Sequence, residues 1–279
     1  MVIDASGKTD IGKVREVNED YFYVDNTSGL FIVCDGLGGH AGGEVASHSA
    51  IEFTLEYLTE HWDEVENAAK TPVGYFKLTQ LVEKAIHSTC KRIKMLADSE
   101  PRLTGMATTL TLLLVVDGNA VVGHVGDSRL YLKRNEEAFQ LTTDHTLLNE
   151  ITGEFKEVDP ASVAKFAHCL TRSVGNHESV AVETLMFEAR KDDILLLCTD
   201  GLSRYFDDGV SVAEMLDGEN VHEIAGSLVD FANESGGRDN VTAVVLRIVD
   251  VDDFKINTRR VQIGLEETGE FKKSDLGIE

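Results

Sequence analysis

The chain has 279 residues, 42% hydrophobic and 27% charged, an ordinary globular composition with enough length to bury a large core. Its net charge of -23, from 49 acids against 26 bases, argues against nucleic acid or an anionic membrane as the main partner, since both need a cationic surface. No apolar run approaches the roughly 18 residues of a membrane span, and Cys34, Cys90, Cys169 and Cys198 are scattered without a CxxC pair, which suits a reducing compartment.

The first residues, Met1 to Ser6, lack the basic and apolar regions of a signal peptide, so a cytoplasmic protein is expected. No linker interrupts the pattern before about residue 249, which predicts one catalytic-sized domain over 1–249 and a polar tail over 250–279.

Tyr21 to Val24 and Leu30 to Cys34 read as the two strands of a hairpin across Asn26-Thr27-Ser28-Gly29. Glu44 to His61 has helical periodicity, with Ala46, Ala50, Phe53 and Tyr57 on one stripe. A second long helix is predicted from about Val73 to Leu96, after Pro72, with Leu78, Val82, Ala85, Thr89 and Ile93 facing inward.

From Thr108 the period changes to strand. Thr108 to Val116, Ala120 to Val125 and Arg129 to Arg134 are β-like segments separated by Asp117-Gly118-Asn119 and Gly126-Asp127-Ser128. Residues 142–170 are less regular and read as a loop-and-helix excursion that could cover a site. Strands resume at Val180 to Phe187 and Asp193 to Cys198. Short helices near Ser211 to Leu216 and Val221 to Glu234 precede a closing strand over Val241 to Ile248. So many consecutive strands do not suit a doubly wound fold; two face-to-face sheets with helices outside fit better.

One pattern recurs at the strand ends. Phe31-Ile32-Val33-Cys34 ends on Asp35-Gly36, Ile194 to Thr199 ends on Asp200-Gly201, and Val121 to Gly126 ends on Asp127. Asp239-Asn240 opens the last strand, and Glu19-Asp20 precedes the first hairpin strand. Any one Asp-Gly is explained as a turn residue. An ionised Asp at the end of a buried strand costs several kcal/mol unless a cation or hydrogen bonds compensate it. If these ends meet in space, like charges repel and only cations resolve the conflict. Oxygen ligands without a matching His or Cys set select Mg²⁺ or Mn²⁺. Two such ions ~4 Å apart are the usual device for attack of water on phosphorus. Arg15 is the candidate for planar bidentate contact with phosphate, against the alternative of a surface salt bridge.

Seven ordered blocks now stand together: Arg15-x-x-Asn18-Glu19-Asp20, Asp35-Gly36-x-Gly38-Gly39-His40-x-x-Gly43-Glu44, Gly126-Asp127-Ser128-Arg129, Asp144-His145, Leu170-Thr171-Arg172, Thr199-Asp200-Gly201-Leu202 and Asp239-Asn240-x-Thr242. Over roughly residues 6 to 249 the chain resembles the metal-dependent protein serine/threonine phosphatases of the type 2C family, prokaryotic branch. The resemblance implies an α+β fold, a four-layer α-β-β-α sandwich of two antiparallel β-sheets flanked by helices. It implies that Asp35 bridges two Mg²⁺ or Mn²⁺ ions and that Asp200 and Asp239 complete the first ion's shell. Glu19 and the Gly36 carbonyl would serve the second ion, Asp20 would orient bound waters, and Asp127 with Asp200 matches the ligands of a third.

Arg15 matches the phosphate-binding arginine. Some relatives carry a histidine directly after Asp-Gly as acid for the leaving group. Here Leu37 holds that place, and His40 either reaches the same space or packs there. The implied reaction is hydrolysis of phosphoserine and phosphothreonine in proteins by a metal-bridging water, without a phosphoenzyme, opposing a Ser/Thr kinase. The expected partners are phosphorylated proteins, with the enzyme a monomer.

Two rivals carry distinct expectations. Gly36-x-Gly38-x-x-Ala41 has a dinucleotide-binding form, but Asp35 would oppose a pyrophosphate, and the region about 20 residues on still reads as helix. A catalytically dead phosphoprotein binder is disfavoured because every ligand position is filled.

Overall fold

The computed structural model describes residues 1–38, 41–70, 74–154, 169–206 and 211–251. Two antiparallel sheets form its centre. The first has the order β1 (Val2–Asp10), β11 (Val241–Asp250), β10 (Ile194–Cys198), β7 (Arg129–Arg134) and β8 (Glu137–Gln140). The second runs β2 (Asp20–Asp25), β3 (Leu30–Leu37), β5 (Leu110–Val116), β6 (Asn119–Val125) and β9 (Glu183–Glu188), with the short β4 (Ala107–Thr108) also on β3.

Strand alternation builds the layers, because successive side chains point to opposite faces. On β3, Phe31 and Val33 face the first sheet, joining Leu113, Leu130, Leu195, Leu197, Val244 and Leu246 in the middle core. Leu30, Ile32 and Cys34 face the other way, onto helices α1 (Ala41–Glu60) and α3 (Gly74–Ser99). Beyond the first sheet, Ile194, Leu196, Cys198, Val241, Ala243 and Val245 pack against Leu202 and against Ile224, Leu228 and Val229 of α7 (Val221–Glu234), which follows the single-turn α6 (Val212–Met215). Three apolar interlayers therefore separate four layers, as the α-β-β-α expectation requires. Each fully buried Leu, Ile or Val contributes about 1.5–3 kcal/mol relative to exposure.

Several elements differ from the pattern reading. Strand β1 was not predicted, since among Val2 to Asp10 only Ile3 is buried. It exists because β11 supplies an antiparallel partner from Ile3↔Ile248 to Asp10↔Val241. Helix α2 (Trp62–Ala69) was also missed, although Val65, Ala68 and Ala69 are buried beneath it. On α1 Ala46 and Ala50 of the expected stripe are buried, but the stripe is rotated further on: Ser47, Ile51, Thr54 and Leu58 are buried with them, while Phe53 and Tyr57 are only partly covered. The α3 stripe from Leu78 to Ile93 is buried as expected. The excursion after β8 begins with α4 (Leu147–Glu154); its continuation over 155–168, the tail beyond 251, and Pro72 lie outside the described residues. Among the described residues, no helix is long and apolar enough to cross a membrane.

Candidate active site

The strand ends that carry acids meet at one end of the sandwich. Antiparallel pairing sets Asp20 opposite Asp35 across β2 and β3. Pairing of Cys198 with Ala243 and with Arg129 brings Asp200, just after β10, beside the start of β11 at Asp239-Asn240 and the start of β7 after Asp127. Gly36 has no room for a side chain: a Cβ there would lie 2.1 Å from the Gly43 carbonyl oxygen and 2.7 Å from that of Glu19. That close approach ties the end of β3 to the start of α1 and to the Glu19-Asp20 segment, with Gly36 N–H donating to Glu19 O at 3.1 Å.

Hydroxyls and amides fix the acid-bearing backbone. The Asp35 N–H donates to Thr109 Oγ1 (2.9 Å), while its carbonyl accepts from Thr109 N–H (2.9 Å) and Thr108 Oγ1 (2.9 Å). Asn240 accepts from Glu19 N–H (2.8 Å) and donates to the carbonyls of Ile11 (3.0 Å) and Val17 (2.9 Å), which stitches the Arg15 loop to the last strand. Asp20 is 4% exposed. Its Oδ2 accepts from Thr199 Oγ1 (2.8 Å) and Thr242 Oγ1 (2.7 Å), whereas its Oδ1 is buried with no hydrogen-bond partner.

The charges are crowded as well as buried. Burial, followed by the charges of Asp20, Asp200, Asp127 and Asp239, pushes the Asp35 carboxyl well above its ordinary range. Burial raises Asp20 to about 7 against the opposing threonine hydrogen bonds, with Asp200 and Asp239 adding to the rise. Asp127 also rises to about 7, from burial and then from Asp200 and Asp144, with Arg129 opposing. Two guanidiniums answer part of this excess. Arg15 grips Asp239 with Nε to Oδ1 at 2.7 Å and Nη2 to Oδ2 at 2.8 Å. Arg204 Nη2 reaches Asp200 Oδ2 at 2.6 Å and Asp239 Oδ2 at 3.3 Å.

An all-oxygen set of crowded acids, one oxygen of it buried without a donor, fits hard divalent cations such as Mg²⁺ or Mn²⁺. The structure brings Asp20, Asp35, Asp127, Asp200 and Asp239 into mutual electrostatic contact, with Glu19 and Gly36 at the same strand end. Arg15 is there too, bonded to Asp239. His40 lies outside the described residues. Sequence reasoning assigned no role to Thr199, Thr242, Asn240 or Arg204, although the first three stood within its motif blocks.

A second polar cluster adjoins Asp127. His124, His145 and Glu183 offer ligand atoms within 4.8 Å of one another. His124 is already engaged at both nitrogens, by Thr111 Oγ1 (2.8 Å) and the Thr143 carbonyl (3.1 Å). Gly126 N–H donates to His145 Nδ1 at 3.1 Å, and Arg172 Nη1 stands 3.1 Å from Nε2. A guanidinium at that distance opposes a bound cation, so the trio reads as a hydrogen-bonded support for the Gly126-Asp127 turn.

A family model described as protein phosphatase 2C matches residues 12–240. The chain is 32% identical to the serine/threonine phosphatase stp of Listeria innocua over 247 residues, covering 87% of this chain and 94% of that protein. It is 35% identical to the serine/threonine protein phosphatase PstP of Mycobacterium tuberculosis over 90% of its own length, and spans 46% of PstP. The solved catalytic domain of PstP in complex with two manganese ions superposes with a TM-score of 0.74 at 36% identity, over 89% of this chain and 99% of that one.

Proposed function

The chain belongs to the protein phosphatase 2C family and is a metal-dependent protein serine/threonine phosphatase; from that premise we propose how its own residues carry the reaction. Asp35, Asp200 and Asp239 would hold one Mg²⁺ or Mn²⁺ ion, Asp35 with Glu19 and the Gly36 carbonyl would hold a second, and Asp127 with Asp200 would take a third. Bound there, such ions lower the pKa of water and neutralise phosphoryl charge.

The remaining work falls to side chains. Asp20, clamped by Thr199 and Thr242, presents its unpaired Oδ1 as a fixed acceptor that orients water. Arg15 is half exposed, and its forked grip on Asp239 is the geometry with which it would take two phosphoryl oxygens. Charge on those oxygens is then met by a preorganised donor. The thiols on the acid-bearing strands do not compete as nucleophiles. Cys34 and Cys198 are buried, and burial holds Cys34 well above the usual thiol range and raises Cys198 to about 12. In this reading phosphorus is attacked by water, without a covalent phosphoenzyme. His40 is the proposed acid for the leaving group.

Residues 1–249 form the catalytic domain in this reading, acting as a cytoplasmic monomer on phosphorylated proteins and opposing a Ser/Thr kinase. The dinucleotide alternative fails on geometry. Helix α1 runs on to Glu60, where that reading needs a second strand with a ribose-binding acid.

The observation that carries the proposal is the gathering of aspartates that raises Asp35. Its test is release of phosphate from a phosphoserine peptide. Exhaustive EDTA treatment should abolish turnover, and Mn²⁺ should restore it in the native chain but not in Asp35→Asn. Undiminished turnover after EDTA would overturn the assignment.

A further inference from the structure

Arg204 sits where the metal reading leaves no role for a cation. It follows the single turn of α5 (Asp200–Ser203), four residues after Asp200, and its backbone N–H donates to the Asp200 carbonyl at 3.1 Å. Its Nε donates to the same carbonyl at 3.0 Å, which fixes the guanidinium plane over the turn. From there Nη2 spans two carboxylates, Asp200 at 2.6 Å and Asp239 at 3.3 Å. The turn packs directly against the Asp239-Asn240 segment, where a Cβ on Gly201 would lie 1.9 Å from the Asn240 carbonyl oxygen.

Arg15 also binds Asp239, but the two arginines differ in freedom. Arg15 is 50% exposed and, among the described residues, is bonded to Asp239 alone, so it can leave that carboxylate. Arg204 is 24% exposed and anchored at three points on Asp200 and Asp239. A dication entering between these aspartates therefore meets a positive charge that stays within a few ångströms of it.

We infer that Arg204 is a built-in competitor for the divalent ion held by Asp200 and Asp239, and that it sets the free-metal concentration at which the site fills. The inference rests on the metal assignment proposed above and deepens it. A guanidinium on the same oxygens stabilises the metal-free acids and repels the incoming ion, and both effects weaken binding. The enzyme then responds to changes in Mn²⁺ or Mg²⁺ rather than holding its ions permanently. Arg204 is a positioning residue in this account, acting through the two aspartates.

The test is direct Mn²⁺ binding by calorimetry, with free Mn²⁺ followed by its paramagnetic resonance signal, on the EDTA-stripped native chain and on R204Q, R204M and R204K. Loss of one nearby positive charge should tighten Mn²⁺ binding about tenfold in either neutral variant that folds by circular dichroism. R204K keeps the charge without the three-point anchor, so its affinity should lie between those of the native chain and the neutral variants. Unchanged or weaker binding in the neutral variants, with a native chain that binds Mn²⁺, would overturn the inference alone. A native chain that binds no Mn²⁺ would overturn the underlying metal assignment first.

Discussion

Two buried charge clusters lie at opposite ends of the same strands and handle their charge in opposite ways. Where β7 ends and β10 begins, Arg134 and Asp193 are 7% and 1% exposed. They are joined by a bidentate bridge at 2.8 and 2.7 Å. Arg134 also donates to the Glu188 carbonyl, and Asp193 accepts from Arg190 N–H. Both charges of this pair have their complement. At the other end Asp20, Asp35 and Asp127 are pressed together, and Asp20 keeps a buried oxygen without a donor. A fold able to satisfy a buried ion fully at one end has not done so at the other. Uncompensated charge is therefore the mark that separates the site from the scaffold.

The contrast breaks most visibly in activity. Asp35→Asn or Asp239→Asn should lower turnover of p-nitrophenyl phosphate by roughly 10³-fold or more, the scale on which a preorganised electrostatic contact is lost. Circular dichroism should show the fold intact. At the balanced end the cost moves to stability. Arg134→Ala leaves Asp193 buried and unpaired and should destabilise the chain by about 3–5 kcal/mol in urea unfolding. If Arg134→Ala proved as stable as the native chain, the two ends would not differ as described.

The network beside Asp127 adds a pH dependence. Burial, then the neighbouring His145, depresses His124 to about 4 from its ordinary 6.5. A depressed base contributes stability that is present above its unfolded pKa and is lost as pH falls toward the folded one. The His124 contribution to the unfolding free energy should therefore shrink by about 3 kcal/mol between pH 6.5 and pH 4, against the opposite trend of the raised Asp20, Asp35 and Asp127 carboxyls. It is read as the difference between the native chain and His124→Gln across that window, and a difference that does not change with pH would locate the acid sensitivity elsewhere.

What was legible in the sequence follows from these differences. Asp35, Asp127 and Asp200 each end an apolar run, so their position on a strand end could be read locally, and the ordered blocks supplied the rest. The layering was legible because β3, β5, β10 and β11 are apolar on both faces. Strand β1 was not, since its pairing with β11 is a contact over more than 230 positions that no local pattern encodes. Thr199 and Thr242 read as ordinary strand residues until Asp20 is seen between them. Arg204 is four residues from Asp200, a spacing indistinguishable from a surface ion pair; only the fold adds Asp239. His124, His145 and Glu183 come from three separate segments and meet only in space.

The last expectation turns the comparison into a difference of sign. Removing a charge from a matched pair exposes its partner, whereas removing one from an overloaded cluster relieves its neighbours. In the EDTA-stripped protein Asp35→Asn should therefore raise the unfolding free energy, because it removes the carboxyl that burial and the surrounding aspartates disfavour most. Saturating Mn²⁺ should reverse the ranking, because an ion that binds only the folded state stabilises the native chain by mass action and the variant far less. Thermal unfolding of both chains with EDTA and with Mn²⁺ would show the crossover. Asp35→Asn less stable than the native chain in EDTA would mean that the Asp35 charge is compensated within the protein, as Asp193 is at the far end.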